Sequence, residues 1–322
     1  MCKTMKNFAN LLFGFLLLTN MSFIMAALDF GSFHPIKTTQ VTGNTAGDLL
    51  GISVSSAGDV NNDGYDDIII GASKKDSGKG AAYVIYGGET SSMPDLINLA
   101  ASSSPLNPLT TGFMITGNAV GDIFGFSVSS AGDINNDGYD DIIIGAYMKN
   151  SYKGAAYLIY GGAKSTMSNI DLSLTTLNPL TTGFMITGNA ASDLFGFSVS
   201  SAGDINNDGY DDIIIGAYGK NSFEGAAYLI YGGEKSSMLN IDLSSTTLNP
   251  LTTGFMITGN AADDYFGSSV SSAGDINNDG YDDLIVGAYG ESSNKGATYL
   301  ILSTSFIFSK QVKPDRSMSK KL

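Results

Sequence analysis

Four stretches of the 322-residue sequence share one string, Ala-Gly-Asp-(Ile or Val)-Asn-Asn-Asp-Gly-Tyr-Asp-Asp, at 57–67, 131–141, 202–212 and 273–283. Counted from its first aspartate, the first copy carries side-chain oxygens at positions one, three, five and nine, which are Asp59, Asn61, Asp63 and Asp67. Tyr65 offers a backbone carbonyl at position seven, and Gly64 at position six permits a sharp turn. Alternate residues of a tight loop converge on one centre, and a hard cation such as Ca2+ takes roughly six to eight oxygens at about 2.3–2.6 Å. Mg2+, with its stiffer octahedron and retained water, fits less well. The same positions recur as Asp133, Asn135, Asp137, Tyr139 and Asp141, then Asp204, Asn206, Asp208, Tyr210 and Asp212, then Asp275, Asn277, Asp279, Tyr281 and Asp283. The expectation is about four structural calcium ions. A hydrated acidic turn without metal is the competing reading. Asp66, at position eight, has no ligand role in this scheme and is expected to face water.

Two familiar calcium motifs are excluded. Position twelve is Ile70 where an EF-hand needs glutamate, and a β-branched run follows the loop instead of a helix. The acidic pattern recurs at 74, 71 and 71 residues, not at nine. Nucleophilic catalysis also lacks its parts. The single histidine, His34, and the single cysteine, Cys2, both precede the repeats. A carboxylate-only mechanism, as in glycosidases, is conceivable with so many aspartates, yet none pairs with an evident acid or base elsewhere.

The loops need elements to hold them. In the second copy Phe126-Ser127-Val128-Ser129 alternates like a strand with unlike faces, and Asp141-Ile142-Ile143-Ile144 reads as a strand covered on both sides. Ala156 to Tyr160 and Phe184 to Thr187 supply two more strands, each closed by a glycine signal. No helical period appears in the repeats. Four short strands per copy predict an all-β chain: a β-propeller of four four-stranded antiparallel blades, over residues 28–303. The order of strands leaves the last blade without its own fourth strand, so Lys37 to Thr42 is expected to complete it and close the ring. Copy four departs after Ile301 into a basic tail, 304–322, so a longer propeller cut short is the alternative, and an incomplete ring would self-associate.

Residues 1–27 read as a secretory signal peptide, with Lys3 and Lys6 ahead of an apolar run from Leu11 to Leu18 and Ala26-Ala27 after it. An uncleaved anchor is the alternative. The formal charge of −14 argues against nucleic-acid partners, and no other segment is apolar enough to span a bilayer. Charged residues are 15% against a usual ~25%, so a Lys/Glu-rich helical protein is excluded, while 43% apolar residues suffice for a core.

Phe124-Gly125 opening the first strand, the aspartate loop, and Gly145-Ala146 closing the second strand resemble the FG-GAP repeat of integrin α-subunit propellers and of many bacterial surface proteins. The resemblance covers all four copies. It implies a secreted or surface-exposed adhesion module that binds protein or glycan, and ligand positions at Asp59, Asn61, Asp63, Tyr65 and Asp67 and their matches. Two departures stand out. Copy one has Leu50-Gly51 for Phe-Gly, and the proline expected after Gly-Ala is Ser73, Tyr147, Tyr218 or Tyr289. Integrin propellers also have seven blades where this chain offers four. Copy-to-copy variation concentrates between strands two and three, which places the expected ligand contacts on the face opposite the calcium loops, with unconstrained drift as the alternative. A hydrolase or an accessory domain of one is the competing function. Asp171-Leu172-Ser173-Leu174-Thr175 is loosely similar to a metal-adhesion motif of a different integrin fold, and a plain turn is preferred.

Overall fold

The structure is a computed structural model that describes residues 37–100 and 106–304. The expected signal segment and nearly all of the basic tail lie outside the described residues. Blade 1 is built of β2 (Leu50–Gly58), β3 (Asp67–Ala72), β4 (Ala81–Ile85) and β6 (Gly112–Thr116), each antiparallel to the next. Blade 2 repeats this with β7 (Val128–Gly132), β8 (Asp141–Ala146), β9 (Ala155–Ile159) and β11 (Gly183–Thr187). Blade 3 uses β12 (Ser198–Gly203), β13 (Asp212–Ala217), β14 (Ala226–Ile230) and β16 (Gly254–Thr258). The fourth sheet has β17 (Phe266–Gly274), β18 (Asp283–Ala288) and β19 (Ala297–Ile301).

Three short strands were not foreseen. β5 (Leu96–Asn98), β10 (Ile170–Asp171) and β15 (Ile241–Asp242) lie in the connections between third and fourth strands. β10 and β15 run parallel to the fourth strand of the preceding blade, β6 and β11. The same rule places the N-terminal strand, β1 (Gln40–Thr42), beside β5 in parallel register, with Val41 opposite Ile97. β1 thus makes the outer pairing of a fourth strand whose blade precedes blade 1, the role expected of it, while the fourth sheet has three strands among the described residues. Local chemistry explains the preference, since each such strand is bonded by the outer connection of the blade that follows it: Leu99 N donates to Thr42 O as Leu172 N donates to Thr116 O.

Three of the four cores lie between blades, and the fourth packs Ile70, Tyr83 and Ile85 of blade 1 under Leu99 and Leu106 of its own outer connection. Ile142 and Ile144 of β8 join Val60, Ile69 and Val84 of blade 1, whereas Ile143 of the same strand joins Ile213 and Ile215 of blade 3. A continuous isoleucine run is therefore what a strand sandwiched between two neighbours requires, at about 1.5–3 kcal/mol for each buried side chain. Phe266, Leu284 and Val286 meet blade 3 in the third joint. The paired dipeptides serve this stacking. A Cβ on Gly71, at the end of β3, would lie 2.0 Å from the carbonyl oxygen of Gly125 in the next blade, and Gly145 has the same relation to Gly196. Glycine is required there for backbones to touch. Short turns at Lys149–Tyr152 and Lys220–Phe223 connect second to third strands, with left-handed backbone at Asn150, Ser151, Asn221 and Ser222.

Candidate metal centre

Each aspartate loop is a hydrogen-bonded cup between the first and second strands of a blade. In the first, Asp59 Oδ1 and Oδ2 accept from the backbone N–H groups of Asp63 and Gly64 at 3.0 and 2.8 Å. Asp63 Oδ1 accepts from Tyr65 N at 3.1 Å. Asp67 lies beneath: its Oδ2 accepts from Val60 N and from Asn61 Nδ2, and its Oδ1 accepts from Gly87 N at 2.8 Å. The turn depends on two left-handed residues, Asn62 at φ 52° and Gly64 at φ 89°, which is why asparagine and glycine occupy those places. Loops two and three repeat the Asp133 and Asp204 contacts, and loop four the Asp275 contacts.

The structure thus brings Asp59, Asn61, Asp63 and Asp67 together as one bonded unit. Among the described residues no three acidic, histidine or cysteine side chains already converge on a point, because Asp59 and Asp63 direct oxygens at backbone donors. The donor set nonetheless fits a hard cation. Asn61, Asn135 and Asn206 each hold a buried Oδ1 that accepts no hydrogen bond, and leaving such an acceptor unsatisfied costs about 1–3 kcal/mol. Burial pushes the Asp67 carboxyl up to about 6 and the Asp212 carboxyl up to about 8, and holds Asp141 well above the usual range. A buried carboxylate short of positive charge and an orphaned amide oxygen are what a divalent ion would satisfy. Loop four is more open, with Asp275, Asn277 and Asp279 exposed and Asp283 buried. Tyr65 is exposed as well, whereas Tyr139, Tyr210 and Tyr281 are half-buried.

Two partners of the loops come from the next blade and escape any reading of a single repeat. Lys164 pairs with Asp63, and Lys235 with Asp137, each ammonium also lying over a tyrosine ring, Tyr86 or Tyr160. Loops three and four have no such lysine among the described residues. Position eight is the second. Asp140 Oδ2 accepts from Asp59 N at 2.7 Å, Asp211 Oδ2 from Asp133 N at 2.8 Å and Asp282 Oδ2 from Asp204 N at 3.0 Å. The backbone replies, since Asp211 N donates to Asp133 O. The glycine before each loop admits that carboxylate: a Cβ on Gly132 would lie 2.1 Å from Asp211 Oδ2. Position eight therefore latches one loop to the next, and only Asp66 is exposed as expected.

Asp171 is likewise structural. Its Oδ1 accepts from Ser173 N, from the Ser173 hydroxyl and from Lys79 Nζ of the preceding blade, so the sequence resembling an adhesion motif is a turn with an ion pair. At the opposite end of the blades the tyrosines that replace the expected proline find partners. Tyr147 packs on Phe126, Phe126 on Phe197 and Phe197 on Tyr218, with ring centroids 4.6, 5.0 and 4.4 Å apart. Tyr218, Tyr265 and Tyr289 continue the row, the last two stacked at 4.6 Å.

Blades of antiparallel strands packed face to face, each with an aspartate loop at one end, define a β-propeller repeat protein. The FG-GAP repeat model matches residues 50–85, 124–159, 195–230 and 266–301. The chain is 27% identical over 249 residues to integrin alpha-4 of Xenopus laevis, covering 76% of this chain and 20% of that protein. It is 28% identical over 283 residues to integrin alpha pat-2 of Caenorhabditis elegans, covering 84% of this chain and 20% of that protein. Against integrin alpha-IIb of Mus musculus the identity is 32% over 180 residues, 55% of this chain and 16% of that protein. The chain is an FG-GAP repeat protein of integrin-α-like type, and it spans about a fifth or less of the length of these relatives.

Proposed function

We propose that the chain is a calcium-stabilised, exported adhesion module that binds a protein or glycan through the face opposite its aspartate loops. The observation that carries this reading is the aromatic row. Phe126, Tyr147, Phe197, Tyr218 and Tyr265 are half-buried, Phe223 and Tyr289 are exposed, and together they run unbroken across blades 2 to 4 at the calcium-free end. Tyrosine and phenylalanine give large contact area at little entropic cost, which suits recognition of apolar or sugar surfaces. The neighbouring turns support the same face. Ser292 and Ser293, like Asn150 and Ser151, are held left-handed, a conformation that costs about 1–2 kcal/mol per residue and gathers at functional loops. Similarity to integrin α subunits and the signal-like residues 1–27 support an exported, surface-exposed setting. Among the described residues no helix is long and apolar enough to cross a membrane.

In this reading calcium is held by Asp59, Asn61, Asp63, the Tyr65 carbonyl and Asp67, and by their counterparts in the other loops. The ion would supply fixed positive charge to each loop; the protein's part is to keep the aspartates on one short turn and the turns latched blade to blade. The test is binding of wild type, Phe197→Ala and Tyr218→Ala to immobilised matrix proteins and to a glycan array, in calcium and in EDTA. Binding to at least one surface that drops tenfold or more in both variants supports the reading. Equal binding by all three proteins sinks it. Turnover of glycoside or ester substrates in a parallel screen favours the hydrolase alternative.

A further inference from the structure

Each end of the blade series exposes apolar residues that are buried at the matching positions of the inner blades. Leu49, Val54 and Ile68 on blade 1 are exposed, Val54 by 67% and Ile68 by 43%. Their counterparts in later blades, Val128 and Ile142 or Val199 and Ile213, are buried against the preceding blade. On the fourth sheet the opposite side is bare. Ile276 is 57% exposed and Leu302 41%, whereas Val60, Ile134 and Ile205, and Tyr86, Tyr160 and Tyr231, fill the matching positions and are buried against the following blade. Polar groups agree with the apolar ones. A Cβ on Gly274 would meet nothing within 4 Å, while Gly58, Gly132 and Gly203 each touch the neighbour's position-eight carboxylate. Asp66 is the exposed position-eight carboxylate, and accepts no hydrogen bond among the described residues.

We infer that a second copy of this chain docks head to tail, blade 4 of one copy against blade 1 of the other. The joint repeats the one formed three times inside the chain: Ile276 enters the core beside Ile68, and Asp66 latches onto the backbone N–H of Asp275. Gly88 N reaches the Ile276 carbonyl, as Gly162 N reaches Val60 O and Gly233 N reaches Ile134 O at 2.9 Å. Strand edges match too, because β19 is bonded on one side by β18 and β1 on one side by β5, so β1 of one copy can continue the fourth sheet of the other. Among the described residues Val54 and Ile276 remain exposed, and a second copy carries the complementary face for each. Two joints between two copies close a ring of eight blades, inside the usual propeller range.

The experiment measures mass in solution by analytical ultracentrifugation, on the full chain from about 0.1 to 50 μM, with Val54→Asp and Ile276→Asp alone and mixed. Both substitutions lie at exposed positions, and circular dichroism at the lowest concentration checks that each monomer is folded. Wild type is expected to reach twice the chain mass, and either variant alone to associate at least tenfold more weakly. An equimolar mixture is expected to recover a heterodimer, since Val54→Asp keeps its blade 4 face and Ile276→Asp keeps its blade 1 face. A wild-type monomer at every concentration overturns the inference in favour of closure within one chain. Association that both variants retain, or a mixture that does not complement, overturns the head-to-tail geometry. Neither result touches the calcium or ligand readings, which rest on binding.

Discussion

Replacing Asp211 by alanine tests the latch between loops. The Asp211 carboxylate accepts from Asp133 N at 2.8 Å across the joint between blades 2 and 3. A hydrogen bond to an ionised acceptor contributes about 1.5–3 kcal/mol, and its loss leaves the Asp133 amide without a partner. Burial works against the charged form, holding the Asp211 carboxyl above its ordinary range, so the net loss belongs at the lower end, about 1–2 kcal/mol. For a domain of this size that is about 2–6 °C in melting temperature. Asp66→Ala removes the same side chain from the same sequence context where, among the described residues, no donor meets it, and is expected to stay within about 0.5 kcal/mol when measured on dilute monomer. Asp211→Asn keeps an acceptor and is expected to lose about half as much as alanine. Urea unfolding gives the energies, and amide hydrogen exchange at Asp133 gives the site. Equal effects at Asp66 and Asp211, or unchanged exchange at Asp133, would refute the latch.

Chelation is expected to lower the melting temperature by about 10 °C or more: at a dissociation constant of about 0.1 mM in about 1–2 mM calcium each site adds about 1.4–1.8 kcal/mol, and an identical melt in EDTA contradicts the metal reading. Lys164→Met and Lys235→Met should raise calcium affinity at loops one and two by about two- to fivefold, because an exposed ammonium–carboxylate pair of up to about 1 kcal/mol no longer competes; calorimetry showing no change in either variant removes the lysines from the argument. The Asp242 carboxyl is held down to about 2 by the Ser244 hydroxyl and then by Lys153. Its support is therefore present above the ordinary value of 3.8 and lost as pH falls through about 2, and Ser244→Ala should move the carboxyl's NMR titration midpoint upward toward 3.8. Gly132→Ala places a methyl into the Asp211 carboxylate at a positive φ of 68°, and is expected to cost more than 2 kcal/mol in urea unfolding.

The sequence was most informative where chemistry repeats within one blade. The aspartate string and the isoleucine run after it specify a turn and a doubly covered strand, and both stand where the spacing put them. What escaped depends on a neighbour. Position eight looked idle because its donor is a backbone N–H about 78 residues earlier, as Asp211 to Asp133 shows. Lys164 is 101 residues from Asp63, and nothing in either repeat marks the pair. β10 and β15 have two residues each, too few for any period to register. The strand pattern identified β1 as a fourth-type strand, but its outer partner at Leu96–Asn98, like β10 and β15, carries no strand signal of its own.

The placement of three of the four cores between blades also shapes how such a chain can change over generations. Copies two to four are close to identical over long stretches, so recombination between them removes or inserts a whole unit of 71 residues. Each remaining joint then still brings the same glycines, isoleucines and latching aspartate together, because those residues belong to the unit and not to its position. Blade number is thus free to drift without any compensating substitution, while a change inside one joint must satisfy two partners at once. Selection on such a protein can act on how many blades it has more readily than on what any single blade is made of.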